Sequence, residues 1–78
     1  MNALFALPPT ADFEDVGDVL GEHVRWDDVR ATTETRGAAT VTVEVTVAKD
    51  YRGDMARAVV ATITHNGNAV AGRVFDTY

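Results

Sequence analysis

The chain has no cysteine, no serine and no glutamine. Without cysteine, neither a disulfide framework nor a thiolate metal site can reinforce a small core. Threonine aside, the hydroxyl and thiol nucleophiles that a neighbouring base activates are missing. His23 and His65 lie in unrelated sequence contexts, so no acid–base pair is written into the sequence. His23 falls on the apolar side of a helical pattern and is expected at the boundary of the core or inside it. His65 flanks a turn and is expected to be solvated. The resulting expectation is a protein that is not an enzyme and carries no cofactor.

Long apolar runs are lacking too. "MNALFALPP" is too short for a membrane span or a signal-peptide core, and no basic residue precedes it. Residues 1–10 read as an extended lead-in stopped by Pro8 and Pro9. No membrane association is predicted, and the expected location is the cytoplasm of a bacterial host. With 46% hydrophobic and 24% charged residues, the 78-residue chain has the composition of one small folded domain over 1–78. A domain of that size buries roughly 60% of the surface its unfolded chain exposes, so it is only marginally stable.

Negative charge is abundant, and it is concentrated. "DFEDVGDVLGEHVRWDD", residues 12–28, holds seven carboxylates and one arginine. That segment carries −6 of a net −5, leaving +1 for the remainder. At a spacing near 3.6, Phe13, Val16, Val19, Leu20, His23 and Val24 share one side, and Glu14, Asp15, Asp18 and Glu22 share the other. This predicts an amphipathic helix over 11–26, with Thr10 or Asp12 as its N-cap. Gly17 and Gly21 each weaken such a helix by about 1 kcal/mol relative to alanine, so it depends on packing. Glu14, Asp18 and Glu22 are four residues apart and repel by a few tenths of a kcal/mol per pair. Their stripe is too extended along the axis to surround one ion, and it lacks the alternating ligands and glycine of a calcium loop. No metal is predicted.

Further along, "TVTVEVTVA" alternates strictly, with Val41, Val43, Val45 and Val47 on one face. That is the pattern of a half-buried antiparallel strand. Turn residues in "KDYRGD" break it. The Arg52, Gly53, Asp54 triplet matches an adhesive tripeptide, but its surroundings read as an inter-strand turn. "ARAVVATIT" and "AVAGRVFDTY" are strands joined at Asn66 and Gly67, the strongest short hairpin signal. A two-residue turn there sets Ile63 opposite Val70, Ala61 opposite Gly72 and Val59 opposite Val74, on the valine face. The stretch from 29 to 37 is equally compatible with an edge strand and a loop. The predicted fold is α+β: an N-terminal amphipathic helix on a three-stranded antiparallel meander over 39–78, with room for a fourth strand.

The segment "NGNAVAGRVFD", residues 66–76, resembles a hairpin pattern in the small phage-encoded anti-CRISPR proteins that inhibit type I surveillance complexes. Asn66, Gly67, Val70, Arg73, Phe75 and Asp76 carry the resemblance, over eleven residues. It implies a non-catalytic inhibitor that binds a protein complex. The charge pattern separately suggests a basic partner surface, met by Glu14, Asp15, Asp18, Glu22, Asp27 and Asp28. A groove that binds DNA phosphates is such a surface, whereas direct nucleic-acid binding is disfavoured by the protein's own negative field. A monomer or dimer is expected. Two rivals share some of these features: a small phage structural protein that oligomerises through its sheet, and an antitoxin-like binder of a basic toxin.

Overall fold

Alternating valines, two tight turns and one capped helical segment translate into an α+β arrangement in a computed structural model, which describes residues 2–25 and 29–75. Two helices, α1 (Asn2–Phe5) and α2 (Phe13–His23), precede four strands: β1 (Thr32–Arg36), β2 (Ala39–Lys49), β3 (Met55–His65) and β4 (Asn68–Phe75). The strands form one antiparallel sheet in the order β1-β2-β3-β4.

The β3–β4 register is the one expected. Val59 pairs with Val74, Ala61 with Gly72 and Ile63 with Val70. Asn66 and Gly67 both have positive φ, +50° and +86°, the signature of a type I′ turn. The ambiguous stretch after residue 29 resolves into β1, which turns at Gly37 and Ala38 and pairs Thr32 through Arg36 with Val43 through Ala39. On the outer face, the Thr33 and Thr42 hydroxyls lie 3.3 Å apart and those of Thr35 and Thr40 3.2 Å apart.

The core gathers Val16 and Leu20 of α2 with Val41, Val43, Val59, Ala61 and Ile63 of the sheet. It also contains Leu4, which overturns the expected extended lead-in. Residues 2–5 are helical, Leu4 is only 1% exposed, and Phe5 and Leu7 pack against the same cluster. A single helical turn is too short to display periodicity, so its apolar residues read as an extended lead-in. Arg36 stacks over the Phe5 ring at 4.7 Å, fixing α1 beside β1.

Helix α2 lies chiefly along β4, and it comes very close. A Cβ on Gly72 would sit 2.5 Å from the Gly17 nitrogen and 2.7 Å from Val16 Cβ. Only a residue without a side chain allows the helix backbone to approach the strand that far. The apolar side of α2 is narrower than its sequence suggests. Val16 and Leu20 are buried, Val19 and Val24 are half-buried, but Phe13 and His23 are exposed at the two ends. Arg73 stacks on the Phe13 ring at 5.6 Å.

Candidate functional site

Asp12 is the N-cap of α2. Its carboxylate accepts from the Asp15 N–H at 2.9 Å, and the Asp15 carboxylate accepts from the Asp12 N–H at 3.0 Å. This reciprocal arrangement satisfies two backbone donors that the first helical turn leaves open. Asp15, expected to bind a partner, therefore has a structural duty. Glu14 joins Asp15 in the first turn, where negative charge is favoured by the helix dipole.

Glu14, Asp18 and Glu22 are exposed, on the side of α2 away from buried Val16 and Leu20. Successive members are about 6 Å apart along the axis. None forms an ion pair with another described residue. Asp27 and Asp28, the other two expected partner-binding residues, lie outside the described residues, as does Trp26 at the expected helix end. Among the described residues, no three of His, Asp or Glu come together to hold a metal ion.

The histidines part from expectation in opposite directions. His23 is exposed rather than part of the core. His65 is half-buried, with Nε2 sealed from solvent and without a hydrogen-bond partner among the described residues. Its position at the end of β3 puts it on the core-facing side, where alternation places every odd-numbered residue of that strand.

The β2–β3 turn is built by one carboxylate. Asp50 accepts from the backbone N–H groups of Arg52 at 2.8 Å and Asp54 at 3.1 Å, and from the Arg52 guanidinium at 3.1 Å. Enclosure by the turn raises its pKa, but the two backbone bonds and Arg52 outweigh that, and the net value lies below the ordinary one. Arg52 is thus folded back onto Asp50 and stacked on Tyr51 at 5.6 Å. This arrangement does not present the tripeptide as an extended adhesive loop.

A surface not anticipated lies at the same end. Val45, Val47 and Met55 are 40%, 65% and 63% exposed, although they share the face that carries the core valines. Among the described residues, β1 pairs no further than Val43 and β4 no further than Ala58, so the turn end of the β2–β3 hairpin extends beyond their described pairing. Neither helix covers it. Among the described residues β2 and β3 have 11 residues each, β1 has 5 and β4 has 8, lengths that alternation in the sequence does not specify.

No helix among the described residues is long and apolar enough to cross a membrane. No family model, no curated protein and no solved structure matches the chain.

Proposed function

We propose that this protein is a non-catalytic inhibitor that sets the acidic face of α2 against a basic, nucleic-acid-binding surface of a protein complex. A type I CRISPR surveillance complex is the first candidate partner, on the resemblance at residues 66–76. The observation that carries the reading is the placement of Glu14, Asp18 and Glu22. They are exposed together, unpaired with any described cation, on the side of a helix whose opposite side buries Val16 and Leu20 in the core. Asp12 and Asp15 are needed to cap the helix, but these three contribute nothing comparable to folding. A basic groove would turn their mutual repulsion into attraction and accelerate encounter.

The test is calorimetric titration or pull-down against purified type I surveillance complexes at two salt concentrations. Changing Glu14, Asp18 and Glu22 together to lysine should abolish binding while leaving the fold intact, and wild-type affinity should fall steeply with salt. Wild-type strength in the triple variant would move recognition away from the helix. A second reading, a small phage structural protein assembling through its sheet, is favoured by exposed Val45, Val47 and Met55.

A further inference from the structure

Among the described residues, β2 beyond Val43 has an unpaired edge on the β1 side. The hairpin at Asn66 and Gly67 closes with His65 paired to Asn68, and the one at Gly37 and Ala38 with Arg36 paired to Ala39. In two-residue hairpins the closing pair exchanges both backbone bonds, and bonding direction then alternates along each strand. Odd-numbered residues of β2 therefore direct N–H and C=O away from β3. From Ala39 to Val43 these groups meet β1. At Val45, Val47 and Lys49 no described strand receives them. The same three residues place their side chains on the exposed valine face.

We infer that this edge pairs with the same edge of a second copy, forming an antiparallel two-fold dimer centred on Val47. The register follows from two constraints. Preserving the valine face on both copies requires odd residues to oppose odd residues. Keeping the turn at residues 50–54 clear of the second copy's β1 excludes registers centred closer to Val43. Val47 then opposes Val47, and Val45 opposes Lys49 in both directions. All three are bonded pairs, giving about six backbone hydrogen bonds. The two exposed valine patches merge into one, continuing each core across the junction. The next pair outward would bring Glu44 to Asp50, so the ladder stops at Val45 and Lys49.

Charge favours a second copy at this hairpin over the acidic face of α2. Residues 44–57 contain three acids, Glu44, Asp50 and Asp54, and three bases, Lys49, Arg52 and Arg57. The hairpin is neutral, while residues 12–28 carry −6. Edge pairing brings two neutral regions together and leaves both acidic helices free. The contact is smaller than the roughly 1,200–2,000 Å² of a stable interface, so the dimer is a weak, concentration-dependent one.

Sedimentation equilibrium over a wide concentration range tests this, with monomer at the dilute end and dimer at the concentrated end. Val47→Lys, which sets like charges face to face on the axis, should shift the midpoint at least tenfold. Val47→Pro should do the same, because it removes only the outward N–H and no bond to β3. Circular dichroism of both variants checks that the fold persists. Val47→Cys supplies the chain's sole thiol, and a bonded pair with Cα atoms about 5.5 Å apart is within disulfide reach. It should cross-link on mild oxidation, while Thr33→Cys on β1 should not. Salt should change the dimer constant little, whereas it weakens any contact made by the acidic helix, so the two interactions fail independently. A wild-type monomer at every concentration overturns the proposal and leaves the edge to an extended segment of another protein. A dimer indifferent to both Val47 substitutions overturns it equally.

Discussion

Gly72 and Gly21 are both glycines at the α2–β4 contact, yet substitution should move stability in opposite directions. A methyl group at Gly72 would lie within 2.8 Å of three atoms of α2, two of them backbone. The helix must lift, and Gly72→Ala should lower stability by about 1–3 kcal/mol or more. At Gly21 the nearest atom is a Val74 methyl at 3.6 Å, an ordinary contact. Gly21→Ala should therefore raise stability by about 0.5–1 kcal/mol through helix propensity. Urea denaturation of the two variants checks both signs. Asp50 supplies a different residue-scale outcome. Its folded pKa is depressed, so its stabilisation is complete above the unfolded value of about 3.9 and is lost as pH falls through the folded value. The difference in Tm between wild type and Asp50→Ala should thus be largest near neutrality and shrink on acidification. A difference that grows in acid would show that the carboxylate does not organise the turn.

At the scale of elements, α1 is the piece with the least sequence signal and a large structural role. Four residues of isolated helix have no stability of their own, because nucleation is unfavourable. Leu4 in the core and Phe5 beneath Arg36 hold it in place. Leu4→Ala should cost about 2–5 kcal/mol, the usual range for emptying a buried leucine site. Thermal denaturation reads this directly, and a loss below about 0.5 kcal/mol would mean that α1 does not dock in solution. α2, by contrast, is legible in its acidic first turn and its two buried apolar positions one turn apart. It spans Phe13–His23 rather than 11–26, since Asp12 caps it and Val24 is already extended, and its end residues Phe13 and His23 fit the wheel yet are exposed. β2, β3 and β4 were legible through alternation, and the Asn-Gly turn gave the β3–β4 pairs, whereas β1 was equally compatible with a loop.

The whole molecule has a charged side and a neutral end, and salt should act on them differently. Net charge is −5, with a −6 segment in which Glu14, Asp18 and Glu22 stand four residues apart on α2. Screening relieves that repulsion, so moderate sodium chloride should raise Tm by a few degrees. The same screening should weaken any partner bound through Glu14, Asp18 and Glu22. Opposite responses of stability and binding in one salt series would tie the charge to recognition. A Tm independent of salt would show that the stripe repels too weakly to matter.

The sequence by itself determined the α+β class, the β3–β4 register and the grouping of acids on one side of α2, and narrowed the cap to Thr10 or Asp12. Each depends on local periodicity or turn chemistry, which neighbouring residues specify directly. Tertiary structure decided the rest: that residues 2–5 fold onto the core, that Gly72 exists to admit a helix, that His65 is turned inward, and that Val45 and Val47 are left bare. Those outcomes depend on how far one element extends over another. Alternation gives every valine of β2 the same apolar face, but only the lengths of β1, β4 and the two helices determine which of them are covered.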